Sequence, residues 1–192
     1  MPDANPQAVE FLRTRRSRPA KLIGPPVPNK TEIEALLAMA ARSPDHGKLE
    51  PWRFIVYTHE ACLRLAKAVE ARAIEDGQDA ERAALMGRTY ERAHLIVAVI
   101  ASPKDSRAIP QIEQTLSAGG VCLALVNAAL ASGWGASWIS GWASHDRKFV
   151  TEPMGLSETE FVAGMVHIGT EAEAPPERPR PDIDAITTWV NA

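Results

Sequence analysis

His94-Leu95-Ile96-Val97-Ala98-Val99-Ile100-Ala101 is the stretch that decides how this chain folds. It is almost wholly apolar and rich in β-branched side chains, with no polar face to give to water, so it reads as a strand covered on both sides. A central strand of that kind needs neighbours, and the flanking sequence supplies them.

Upstream, Arg53-Phe54-Ile55-Val56-Tyr57-Thr58 reads as a second strand and Glu60–Glu75 as a helix carrying Leu63, Leu65, Ala66, Val69 and Ile74. A further helical pattern runs from about Ala80 to Arg92. Downstream, Ile112–Ser132 has apolar or small residues almost all round, with Gly119-Gly120 inside it. A helix without a polar face belongs in a large core or at a subunit interface. Gly133-Trp134-Gly135 stops it as a C-cap. Ala136-Ser137-Trp138-Ile139 is a short strand before Ser140-Gly141, and Phe161–Gly169 reads as another.

At the start of the chain, Asn5 caps a helix that opens with Pro6 and carries Val9, Phe11 and Leu12 to the basic run Arg13–Arg16. Residues 18–29 hold Pro19, Gly24, Pro25, Pro26 and Pro28, which makes them an extended connection. Thr31 and Glu34 have capping-box spacing, and Ile33, Leu36, Leu37, Ala40 and Ala41 recur at helical intervals until Pro44. At the other end, the proline- and arginine-rich stretch Ala174–Pro181 precedes Ile183, Ile186, Trp189 and Val190. An apolar end after so long a reach packs on something distant, either its own sheet or a partner's. Helices and strands mix without strict βαβ alternation, and the class is α+β.

With 192 residues, 45% of them hydrophobic, one domain spanning 1–192 is expected. The formal net charge of -3 speaks against a broad basic surface for nucleic acid and against a polybasic membrane anchor. Met1–Pro6 fits neither a secretory signal nor a transit peptide, and the apolar runs Leu95–Ala101 and Val121–Ala131 fall short of a bilayer span. A cytoplasmic protein with no nucleic-acid or membrane partner is expected. Cys62 and Cys122 fall on different helical patterns, with no Cys-x-x-Cys pair and no His at ligand spacing. They read as core thiols, and no metal site is expected.

Two polar stretches remain to be explained: Arg15-Arg16-Ser17, and Ala41-Arg42-Ser43-Pro44-Asp45-His46-Gly47-Lys48-Leu49-Glu50-Pro51-Trp52. Arginines offer planar, multidentate donors suited to a phosphate, and Ser17 adds a small hydroxyl. Each stretch also has a plain reading, the first as a solvated helix end and the second as a turn closed by a helix-stopping proline. The chain has no Gly-x-Ser-x-Gly, P-loop, Gly-x-Gly-x-x-Gly after a strand, or His-Glu-x-x-His. A chain without an evident acid, base or nucleophile often borrows its chemistry from a cofactor. Among the tryptophans, mostly core or interface anchors, Trp138 reads equally well as a ligand platform because Ser140-Gly141 beside it lets backbone approach a planar ring.

The order of these features resembles the FMN-dependent nitroreductase family, and within it the compact NAD(P)H nitroreductase subgroup. The resemblance rests on Arg-Arg-Ser after the first helix, Ala-Arg-Ser-Pro-Asp-His ending the second, Pro-Trp-Arg-Phe opening a strand, the glycine-containing buried helix, Gly-Trp-Gly-Ala-Ser-Trp-Ile-Ser-Gly, and a late Ile-Gly-Thr. It spans Val9 to Trp189. It implies a mostly antiparallel central sheet flanked by helices, in a homodimer with FMN at the interface and the tail, residues 170–192, exchanged between subunits. Arg15, Arg16 and Ser17 would take the flavin phosphate and ribityl end. Arg42 and His46 match flavin contacts, Trp138, Ile139 and Ser140 match the segment lining the ring, Gly169 and Thr170 match the late Gly-Thr, and Arg178 or Arg180 would add a phosphate contact. Ala128, Ala129, Leu130, Ala131, Ser132 and Gly133 match the stretch assigned to the nicotinamide nucleotide.

The implied reaction is ping-pong, with NAD(P)H reducing FMN and a small oxidant, a nitroaromatic or quinone, reoxidising it. No catalytic acid or base is implied. His46 and Glu50 stand where larger members have Asn and Gln, and Ile139 stands where a close relative has Arg, leaving only a backbone contact there. Dehalogenation, flavin fragmentation and non-catalytic flavin sensing are the alternatives on the same fold.

Overall fold

The computed structural model describes residues 3–191; the readings that touch Met1, Pro2 and Ala192 lie outside it. In chain order the elements are α1 (Pro6–Thr14), β1 (Ile23–Gly24), α2 (Lys30–Ala40), β2 (Trp52–Thr58), α3 (His59–Glu75), α4 (Ala80–Glu91), β3 (Leu95–Ala101), α5 (Gln111–Ala131), β4 (Gly135–Ile139), α6 (Trp142–His145), α7 (Arg147–Thr151) and β5 (Phe161–Glu171). Single 3-10 turns occur at Ala20–Leu22, His46–Lys48 and Asp184–Ile186.

The helix starts follow local chemistry. Asn5 caps α1 through a hydrogen bond from the Ala8 N–H, with Pro6 at the first helical position. The capping box of α2 is formed by Asn29 and Glu32, not by Thr31 and Glu34. The Asn29 side chain accepts from the Glu32 N–H at 3.1 Å, and the Glu32 carboxylate accepts from the Asn29 N–H at 2.8 Å. An amide side chain in extended backbone just before Lys30 reaches the free N–H groups of the first turn, so the helix begins earlier than the threonine suggests.

β3 is the centre of the sheet, and every one of its residues is buried. It pairs antiparallel with β2 over Trp52↔Ala101 to Thr58↔Leu95, and with β5 over Ile96↔His167 to Ala101↔Phe161. β5 also pairs antiparallel with β4, from Gly135↔Gly169 to Ile139↔Met165, and with β1 at Ile23 and Gly24. Period-2 alternation divides the core. Ile96, Ala98 and Ile100 pack against Leu65, Val69, Phe149 and their neighbours, whereas Leu95, Val97 and Val99 pack against Val121, Leu125 and Val126 of α5. Each buried Val, Leu, Ile or Phe among these contributes about 1.5–3 kcal/mol.

α5 is long and apolar enough to cross a membrane by length and composition, although the apolar runs in the sequence looked too short. Here it is the core helix of the sheet's second face, with Val121, Cys122, Leu125, Val126 and Ala129 inside. Its outer edge still exposes Ile112, Leu116 and Leu123, and the tail exposes Ile183, Ile186, Trp189 and Val190. Cys62 and Cys122 are buried free thiols, and burial pushes both up to about 12.

Gly169 fixes how tightly β1 crosses β5. A Cβ there would lie 2.5 Å from the Gly24 carbonyl oxygen and 3.0 Å from Ile23 Cγ2. Because backbone is the obstacle, Gly169→Ala is expected to destabilise the protein by about 1–3 kcal/mol. Urea unfolding of the two proteins measures this directly.

Candidate functional site

Arginines gather where α1 meets the sheet edge. Arg15 leaves the helix with extended backbone while its N–H still donates to Phe11 O at 2.7 Å. The chain then runs beside β4, held by the Arg18 N–H donating to Ala136 O at 2.9 Å and by an Arg18–Glu171 ion pair to β5. Arg15 Nη2 donates to Ser17 Oγ at 3.0 Å, and Arg16 Nη1 donates to Ser17 O at 3.2 Å. The Nε–H groups of both Arg15 and Arg16 are buried without a partner among the described residues.

These side chains open on a cleft of about 230 Å³ lined by Phe11, Arg15, Arg16, Leu130, Gly133 and Trp134 among others. Burial, followed by the charges of Arg180, Arg16 and Arg18, holds the Arg15 guanidinium below its usual range. The charge of Arg180 is thus felt at Arg15 from the tail, while its side chain pairs with Glu177 at 3.0 Å and does not line the cleft. Converging cations with unpartnered donors define a site that an anion would relieve. Arg178 uses its backbone N–H on Glu177 and has no side-chain ion pair among the described residues.

β4 presents its two faces differently. The Trp138 indole is 41% exposed on the α5 side, where its ring lies 4.0 Å from the Cβ position of Gly119 and its Nε1–H donates to Ala163 O at 3.3 Å. Gly164 makes room for it, because any Cβ there would overlap the indole. Ile139 points to the opposite face. With Ser140 and Gly141 it borders a cavity of about 300 Å³ whose walls include Met86, Thr89 and His167. His167 is 3% exposed, its Nε2 is buried without a hydrogen-bond partner among the described residues, and burial alone lowers its pKa to about 4.

The second polar stretch forms a tight loop against α5. Asp45 accepts from the Glu50 N–H at 2.7 Å, and Gly47, Lys48 and Glu50 all have positive φ. His46 Nδ1 lies 2.6 Å from Glu113 Oε2 in the first turn of α5, and Ser43 sits against Gly120. Arg42 and His46 line neither the arginine cleft nor the Ser140 cavity.

The remaining sequence candidates divide. Thr170 donates its hydroxyl to Pro26 O at 2.7 Å, and Gly169 is taken up by the β1 crossing, so both hold the sheet edge. Leu130 and Gly133 line the arginine cleft and Ala131 and Ser132 are exposed, but Ala128 and Ala129 are packed in the core and offer a nucleotide no side-chain surface. Helical periodicity is the reason, since those two positions face the sheet. Phe11, Arg18, Trp134 and His167 were not singled out as site residues from the sequence. His167 shares the period-2 phase of Met165, which gives its face but not its missing partner.

The fold is that of nitroreductase-like proteins. The structure titled "Nitroreductase-like Family Protein from Bacillus cereus" superposes with a TM-score of 0.84 at 23% identity, covering 100% of both chains. A Desulfovibrio desulfuricans structure titled "putative nitroreductase in complex with fmn" gives 0.73 at 18% identity, covering 99% of this chain and 100% of that one. In sequence, residues 12–170 match the nitroreductase family model. The Escherichia coli protein "Putative NAD(P)H nitroreductase YdjA" is 33% identical over 163 residues, 85% of this chain and 87% of its own. The chain belongs to the nitroreductase family.

The pH dependence of stability tests the buried imidazole. His167 has a folded pKa of about 4 against an ordinary value near 6.5, so the unfolded chain takes up the proton first. Stability is complete above about pH 6.5 and is expected to fall by about 3 kcal/mol as pH drops toward 4. Glu160, held down to about 2 chiefly by its paired hydrogen bonds with Arg53, adds a further loss only as pH falls below 4.5. Thermal midpoints across this range should show the upper loss flattened in His167→Gln and the lower one retained.

Proposed function

We propose that the chain is an FMN-dependent NAD(P)H oxidoreductase, one domain per subunit and a homodimer, acting on nitroaromatic or quinone-type acceptors. The observation that carries this reading is the pair of buried Nε–H donors of Arg15 and Arg16, unpartnered among the described residues, in a cleft beside the Ser17 hydroxyl and within the field of Arg180. That donor set fits a phosphate monoester, with each charged hydrogen bond contributing about 1.5–3 kcal/mol. When bound, FMN supplies the redox chemistry that the side chains lack, taking hydride from NAD(P)H and passing it to the acceptor in alternation.

The chain's own residues bind and orient. Arg15, Arg16, Ser17 and Arg180 would hold the phosphate, and the Trp138–Ser140 segment would line the ring. Arg42 and His46, which line neither cavity of their own chain, would serve the second subunit's site. The exposed apolar edge of α5 and the apolar tail supply the surface for that second subunit. Two buried, unpaired thiols suit a reducing compartment such as the cytoplasm.

Titration of the apoprotein with FMN, followed by flavin fluorescence, tests the phosphate assignment. Arg15→Ala and Arg16→Ala are each expected to raise the dissociation constant roughly 10- to 150-fold. Wild-type affinity in both overturns it. Removal of residues 175–192 is expected to shift the protein from dimer to monomer in light scattering and to weaken FMN binding, since Arg180 and the apolar tail are lost together. Anaerobic reduction by NADPH, then reoxidation by a nitroaromatic, measures the reaction itself.

A further inference from the structure

Between α4 and the sheet lies the cavity of about 300 Å³ that Ile139, Ser140 and Gly141 border, and it shares no wall residue with the arginine cleft. Its lining has two parts. Met86, Ile139, Trp142 and Met165 give an apolar body, whereas Tyr90, Ser144 and His167 bring polar side chains to it. Arg82 and Thr89, both exposed, stand at its mouth.

The polar wall is the part that the fold does not explain. His167 is 3% and Ser144 4% exposed, and neither the His167 Nε2 nor the Ser144 Oγ has a hydrogen-bond partner among the described residues. The Tyr90 hydroxyl, pushed up to about 12 chiefly by burial, is near enough to Ser144 to be drawn back slightly, yet the two complete no hydrogen bond of good geometry. Buried polar groups are almost always partnered, so two such atoms on one cavity wall mark a surface built to meet a polar group.

The chemistry of the walls selects that group. With its pKa lowered to about 4 by burial, the His167 imidazole is neutral near neutral pH and offers a carboxylate or phosphate no charge. A neutral imidazole carries its proton on either nitrogen, so Nε2 is a donor in one tautomer and an acceptor in the other. A hydroxyl both donates and accepts, and it meets Nε2 in either state. Around it, the thioethers of Met86 and Met165 and the Trp142 indole suit an aromatic ring. A volume of about 300 Å³ is at the lower end for small-molecule sites, which limits the occupant to about one ring.

We infer that this cavity is a second binding site, for a small neutral phenol whose hydroxyl meets His167 Nε2 and whose ring lies among Met86, Trp142 and Met165. The inference goes beyond the oxidoreductase reading and does not rest on it, since neither flavin nor reductant is placed in the cavity. An occupant would pack behind Ile139 and Ser140, the end of β4 proposed to line the flavin ring.

Calorimetric titration of the FMN-loaded protein with para-cresol, and with toluene as the same ring without the hydroxyl, provides the test. Para-cresol should bind at least about tenfold more tightly than toluene and should shift the nitrogen NMR resonance of His167 Nε2. His167→Leu, which keeps the bulk and removes the nitrogen, should bring para-cresol down to the affinity of toluene. Met86→Trp fills the cavity from α4 and leaves the polar wall intact, so it should abolish binding of both and serves where His167→Leu does not fold. Lys30→Gln, on α2, is the control and should bind as wild type. Equal affinity for the two rings overturns the inference, as does wild-type para-cresol affinity in either cavity variant. No binding of para-cresol at about 1 mM means that the cavity takes water alone, which overturns it as well. If the chain takes no FMN, the oxidoreductase reading fails by itself, and the same titration of the protein as purified still decides the cavity.

Discussion

The structure depends on one constraint, the antiparallel pairing of β5 with β3, β4 and β1. This strand of 11 residues is where the buried centre meets the polar edge. Pairing with β3 gives β5 its two-sided burial, and pairing with β4 carries Trp138 and Ile139 to opposite faces of one sheet. Pairing with β1 brings the proline-rich connection back across the edge, where Thr170 ties it at Pro26. Two of its glycines are required by contact: Gly164 yields to the Trp138 ring and Gly169 to the β1 backbone. A side chain at either point would push apart the elements that frame the site.

Electrostatics completes what the sheet positions. Arg18 is neutralised by Glu171, so it acts as a strut that holds the Arg15–Ser17 backbone against β4. Arg15 and Arg16 are left partly buried with donors free among the described residues, and Arg180 adds a like charge from the tail. Their mutual repulsion is tolerable in water and costly in a cleft, and it falls when an anion enters. Structural ion pairs elsewhere, such as Arg53 with Glu160 and Arg72 with Asp146, are closed on themselves and leave nothing for a ligand.

Much of the fold was legible because it is written in periodicity. The unbroken apolar run at β3, the 3.6-residue patterns of α2 to α5 and the glycine after α5 each carry a local physical signal. Local patterns fail where a fold-dependent contact decides. The α2 cap went to Asn29 because backbone geometry, not residue spacing, chose the side chain that meets the helix end. The short helices α6 and α7 were not read at all, being too brief to show a period.

Of the site, the sequence by itself determined the donors: an Arg-Arg-Ser run, a Trp-Ile-Ser-Gly segment and a tail with further arginines, together with the family they resemble. Residue type and order suffice for that, since guanidinium chemistry does not depend on what surrounds it. Only the tertiary structure decided which donors remain free. It closed Arg18 onto Glu171, brought the charge of Arg180 rather than that of Arg178 to bear on Arg15, sealed Ala128 and Ala129 in the core, and stranded His167 beside a cavity. Those outcomes depend on burial and on distance between residues far apart in the chain, quantities that exist only once β5 has brought its neighbours together.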